Sequence, residues 1–284
     1  MAALFTLGHR NVWIAAAVHS LSLAARAAFD CPPDWVAILS SQPTVAQDVR
    51  TAMTRFRNER ERFLASDWRS LPDRLAAKAL ATQDLADAQL NLARALNRHA
   101  AAEKKYYVGV VKPDYLGEEL RGFRYGDSSV LYFSLPEQWR QYRIEIKDGL
   151  LYDSRGKLAD TTNAIQQYGL LPDPKTDRVG FANFVMDRDG RLYLDLNPID
   201  GVRHHTSILG GAPVASAGEI QIRAGRVEFV SNRSGHYNFE ADISAQALDE
   251  LKRQGVTLPN GKVDFQNSPG RKLQTAEWLG IPQR

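Results

Sequence analysis

The chain has one cysteine, Cys31, in 284 residues. That excludes an intrachain disulfide framework and a thiolate zinc cage built within one chain. Long uncharged apolar runs are missing as well. The nearest approach, NVWIAAAVHSLSLAARAAF close to the start, is broken by His19 and Arg26, which leaves too little length for a bilayer helix. No membrane span is expected. The stretch reads as an amphipathic helix, and its apolar residues 13–18 behind Arg10 also fit a secretory core segment. The expected location is the cytoplasm of the producing cell; an effector role would then require export without a cleaved signal. Charge of one sign is scarce too. Thirty-six basic against 33 acidic residues leave a formal charge of +3, so there is no electrostatic footprint for nucleic acid.

Between Thr44 and Lys105 the chain has no glycine and one proline, Pro72. The absence of chain breakers predicts helix. Thr44 to Gln47 has the spacing of a capping box. Val45, Val49, Met53 and Phe56 follow at steps of four, four and three, one helical face. NERER, from Asn58 to Arg62, is a solvated face. Ser70 is placed to cap a second helix with Pro72 in its first turn, and Leu85, Ala88, Leu92 and Leu96 make its apolar stripe. Residues 1–105 are therefore expected to form a helical hairpin or bundle of two to four helices, with Lys104 and Lys105 at a helix C-terminus.

From Tyr106 glycines return and β-branched and aromatic residues cluster. Arg143–Lys147, Phe184–Met186 and Glu219–Ile222 each run through a glycine-bearing turn into a second alternating run, at Leu150–Tyr152, Leu192–Leu194 and Val227–Val230. This pattern predicts three hairpins, each with one buried face. Val108–Val111 and Val130–Phe133 read as further strands. A helix capped by Ser244, stapled by Ile243 and Leu248 and ended by Gly255 should follow, with Val256 folding back on Leu251. The expected fold is α+β: the helical region, a mostly antiparallel sheet domain over 106–258 with a covering helix, and a C-terminal arm over 259–284 packed on it.

In this order, KDGLLYDSRGKLADTT, FVMDRDGRLYL, HHTSILGGAPVASAGEI and RSGHY resemble the globular domain of the plant IQ-motif-containing calmodulin-binding proteins, over roughly Glu137 to Val256. The segments also resemble domains of microbial proteins, some of which look like effector or toxin modules. The resemblance implies the fold and its important surface. It does not imply calmodulin binding: nothing in the helical region has the Ile-Gln followed by an Arg-Gly pair that an IQ motif needs, and Ile220-Gln221 falls in a predicted strand. Plant members carry Gln-His-Ser-Ser where this chain has His204-His205-Thr206-Ser207, and arginine where it has Glu219.

HHTS and SGHY hold the chemistry-bearing residues. On a strand His205 and Ser207 share a face, and hairpin order brings His236 and Tyr237 near them. As catalytic groups, His205 and His236 would act as acid/base and orienter, with Ser207 or Tyr237 donating to a substrate oxygen; Glu219 is a further catalytic candidate. The alternative is that they are satisfied buttresses of a packed core. His204, Thr206, Ser234 and Gly235 complete a ligand-binding surface. Gly210 and Gly211 either bring backbone amides to a ligand or allow close packing. Adjacent histidines on a strand face opposite ways, so no metal site is expected. Three functions compete. One is an effector or interaction module whose pocket binds a protein or small ligand. Another is an ADP-ribosyltransferase-like enzyme using His205, Tyr237 and Glu219, with NAD as cofactor only in that case. The third is a structural chain that oligomerises through its helices.

Overall fold

The computed structural model describes residues 42–284 except short stretches within 119–134 and 169–171, isolated positions, and much of the chain beyond 258; residues 1–41, and with them the apolar N-terminal segment, lie outside the described residues. Two long helices, α1 (Pro43–Leu64) and α2 (Leu71–Glu103), form an antiparallel hairpin. Ala46, Val49, Ala52 and Phe56 of α1 are buried against the Leu85, Leu92 and Leu96 stripe of α2. These are the only long helices among the described residues, so the hairpin alternative is the one observed. The Thr44 capping box is not formed. α1 begins at Pro43, which puts Thr44 inside the first turn, where its hydroxyl is no longer at the cap. Ser70 does precede α2, but Asp67 receives the Arg69 and Ser70 amides instead.

The rest is a curled eight-stranded sheet, ordered β12-β11-β9-β8-β6-β7-β2-β3. All three predicted hairpins are present: β2 (Arg143–Lys147) with β3 (Leu150–Tyr152), β6 (Ala182–Met186) with β7 (Leu192–Asp195), and β8 (Ser216–Arg223) with β9 (Arg226–Ser231). Asp148-Gly149 and Ala224-Gly225 have positive φ at both positions, the two-residue turn whose twist matches antiparallel strands. The Leu151 amide bonds the Gly225 carbonyl at 2.9 Å, so β3 curls round to meet the β8–β9 turn. β11 (Lys262–Asp264) adds to β9 in parallel and pairs with β12 (Gln274–Thr275), which makes the sheet mixed. A pair of two-residue strands, β4 (Ile165–Gln166) and β5 (Arg178–Val179), and a second pair, β1 (Val110–Val111) with β10 (Tyr237–Asn238), lie outside it. A short helix, α3 (Pro136–Arg140), leads into β2.

The pleat divides the sheet into two unlike faces. Phe184, Met186, Leu192, Leu194, Ile220 and Val230 point one way, into a core closed by Ala247, Leu248 and Leu251 of α5 (Gln246–Arg253). Val185, Tyr193 and Ala217 point the other way, under Ile208, Leu209 and the helical hairpin. At roughly 1.5–3 kcal/mol for each large apolar side chain buried, this second core makes α1 and α2 part of the sheet's own interior.

Three local expectations change. HHTS is not a strand: His205–Ile208 form one helical turn, α4, with His204 as its extended N-cap. The His204 amide donates to Ser207 Oγ at 2.9 Å, so the hydroxyl three residues on closes the turn, and Ile208 and Leu209 anchor it in the core. Val130–Phe133 run extended without strand pairing, because their amides go singly to Glu118, Val202 and Ser207 carbonyls in different segments. Ser244 sits inside a 3-10 turn (Ile243–Ala245), and Ala245 precedes α5. The other end of α5 forms as expected: Gly255 has φ +75 and the Val256 amide reaches the Leu251 carbonyl at 2.9 Å.

Candidate functional site

One residue row interrupts the second face. In register, Asn183 of β6 stands opposite Asp195 of β7 and Glu219 of β8. Ser231 of β9, whose hydroxyl accepts from the Glu219 amide at 3.2 Å, stands opposite Asp264 of β11. Residues opposite in register share a face, so five adjacent strands line up a polar rung. All five members are buried. Asn183 is in phase with Val185, Asp195 with Tyr193 and Glu219 with Ala217. The rung thus begins where the apolar cover of that face ends.

Arginines from outside the rung bond its acids. Arg178 reaches Glu219 Oε1 at 2.7 Å, Arg233 reaches Asp264 at 2.6 Å, and Arg203 Nε lies 3.3 Å from Asp195. The Arg178 guanidinium also covers the Phe181 ring at 3.9 Å. Burial nevertheless dominates at Asp195 and holds its pKa above the usual carboxylate value, with Arg203 only partly opposing. Apart from Asp195 Oδ2, which has only its ion pair with Arg203, two rung acceptors are buried and make no hydrogen bond: Asn183 Oδ1 and Glu219 Oε2. Both residues line a cleft of about 400 Å³ whose other walls include Lys112, Gln166, Tyr168, Arg203, Arg233 and the histidine segments. A buried acceptor without a donor costs free energy that a bound ligand or an ordered water recovers.

Above the rung HHTS and SGHY meet. The His204 and His236 rings stack with centroids 4.1 Å apart, and Tyr115 lies against His236 at 4.0 Å. His205 turns the other way, to the Gly218 carbonyl at 3.0 Å. Burial first, and the neighbouring His236 second, push its pKa down to about 3. It is therefore neutral at ordinary pH, with its proton on Nε2, where the carbonyl accepts it. Beneath His236 lies Glu118, fully buried. Its Oε1 accepts from Tyr132 at 3.2 Å and from Thr206, and Oε2 lies 3.3 Å from His236 Nε2. Ligand atoms of Glu118, His204 and His236 all fall within 4.8 Å of one another.

The structure divides the sequence-predicted residues. His204, His205, Glu219, Ser234, Gly235 and His236 line the cleft. Thr206 lies behind it on Glu118, and Ser207 closes the helical turn. Tyr237 is buried with its hydroxyl on the Ala212 carbonyl at 3.0 Å, and burial raises its pKa. Gly210 and Gly211 are also away from the cleft. Gly211 has φ +73, and a Cβ there would come within 2.7 Å of the Tyr132 ring, so close packing accounts for it. Metal ligation was discounted on the premise that HHTS is a strand, and the helical turn removes that premise.

Sequence reading missed Glu118, Asn183, Asp195 and the arginines. Glu118 sits in a loop with no pattern to mark it. Asn183 and Asp195 did leave a signal: each is polar at a position in phase with the inward residues of its strand.

Residues 138–243 match the family described as the IQ motif-containing protein middle domain. No curated protein and no solved structure matches the chain.

Proposed function

Taking as premise that residues 138–243 are an IQ motif-containing protein middle domain, we infer that the domain is a binding module for a small polar ligand, held in the cleft over the polar rung. The observation that carries this is the pair of buried, unpartnered acceptors, Asn183 Oδ1 and Glu219 Oε2, on the cleft floor. They call for hydroxyl or amine donors. Lys112 and Arg233 on the walls suit an anionic group at the other end of the ligand. A phosphorylated sugar or nucleotide has both chemistries, and a volume of about 400 Å³ admits one.

Titration calorimetry with ribose 5-phosphate, AMP and NAD tests this. At least one should bind with Kd below about 1 mM. Asn183→Leu and Lys112→Ala should each weaken that binding about 10-fold, the worth of one good polar contact. If none of the three binds, or binding is indifferent to both substitutions, the reading fails. The transferase alternative retains Glu219 and His205 at the cleft but does not retain Tyr237, whose hydroxyl is committed to Ala212. It requires loss of NAD or transfer of its label, which the same NAD sample reports.

A further inference from the structure

We propose that Glu118, His204 and His236 bind one divalent transition-metal ion, of the zinc class, beside the cleft. This does not rest on the ligand-binding reading. The three residues come from segments far apart in the chain: the turn after a 3-10 helix (Pro113–Tyr115), the N-cap of α4, and the loop before β10. All three are buried, and their ligand atoms lie within 4.8 Å of one another. Two ligands about 2.0–2.1 Å from a tetrahedral zinc ion stand about 3.3 Å apart, and Glu118 Oε2 and His236 Nε2 are at 3.3 Å. A simple ion pair would account for that one distance. It would not account for a second buried imidazole that also brings a ligand nitrogen within 4.8 Å of both.

The surroundings have the character of an outer shell. Thr206 and Tyr132 hold the other oxygen of Glu118 and so fix the carboxylate. Asp200 lies 3.7 Å from His204 Nε2. The Gly201 amide donates to that nitrogen at 3.1 Å, so an ion taken there exchanges this hydrogen bond for a coordinate bond. Two imidazoles and a carboxylate, with no thiolate, match zinc, cobalt or iron rather than copper(I) or calcium. Three protein ligands leave a coordination position, and His204 and His236 both line the cleft.

Cobalt(II) and zinc(II) titrated into the chelator-treated full chain provide the test, read by visible absorption and calorimetry. One equivalent of cobalt should produce the d–d bands of a four- or five-coordinate site, and one equivalent of zinc should abolish them. His204→Ala and His236→Ala should each weaken binding more than the roughly 10- to 100-fold expected for Thr206→Val, which removes only an outer partner. His99→Ala, at an exposed position on α2, should change nothing. No saturable band in the wild type overturns the proposal, as does a band that survives both His204→Ala and His236→Ala. Should either variant fail to fold, the wild-type stoichiometry and the Thr206→Val shift decide.

Discussion

Single side chains at this site are held by bonds whose loss can be measured. Thr206 is fully buried and donates to Glu118. Thr206→Val keeps the shape and leaves a buried carboxylate oxygen short of a donor. It should cost about 1–3 kcal/mol in urea unfolding, with Thr206→Ser recovering most of it. Asp195 tests burial against charge. Its pKa is raised in the folded protein, so ionisation is penalised there. That penalty is present in full above the folded pKa and vanishes below the unfolded value near 3.8. Asp195→Asn should therefore compare more favourably with the wild type at pH 7 than at pH 4. A stability difference between the two that does not change with pH would mean that Arg203 cancels the burial.

At the scale of elements, close approach decides whether the rung assembles. A Cβ on Gly218 would lie 1.8 Å from the Ser231 carbonyl oxygen, so β8 and β9 can pair at this point only with glycine. Gly218→Ala should destabilise by about 3 kcal/mol or more, since rigid backbone and not a flexible side chain must move; a change below about 1 kcal/mol in chemical unfolding would contradict the register. Gln246 joins elements in another way, receiving the Tyr107 amide and donating to the Tyr107 and Ala215 carbonyls. Its replacement by Met should cost about 1–3 kcal/mol, because the Ala215 carbonyl it serves is buried and the Tyr107 groups are part-buried.

The hairpins were legible because alternation and Asp-Gly or Ala-Gly turns act locally. So was the end of α5, where Gly255 alone permits the left-handed close. HHTS was misread because its helical turn depends on Ser207 bonding back to His204 and on Ile208 reaching a core that no local pattern describes. Its meeting with SGHY was anticipated, but with His204 and not His205 as the ring that faces His236. The rung was half visible, as polar residues in phase with core residues. Glu118 was invisible, since only tertiary contact gives it meaning.

For the whole molecule, the shared interior is the decisive feature. Leu92 and Leu96 of the hairpin belong to the same core as Val185, Tyr193 and Ala217 of the sheet. Residues 43–264 should therefore unfold in one transition, with fluorescence and circular dichroism coincident; separate midpoints for helix and sheet would show two independent cores. Among the described residues no helix is long and apolar enough to cross a membrane. The cleft, by contrast, is polar at its floor and has both signs of charge on its walls, which suits a small zwitterionic or phosphorylated ligand better than an apolar one. The most direct test is a crystal structure grown with the tightest binder among ribose 5-phosphate, AMP and NAD. The account predicts ligand density in the cleft with a donor atom within about 3.2 Å of Asn183 and of Glu219. Density elsewhere, or a cleft in which those two acceptors meet only water, would contradict it.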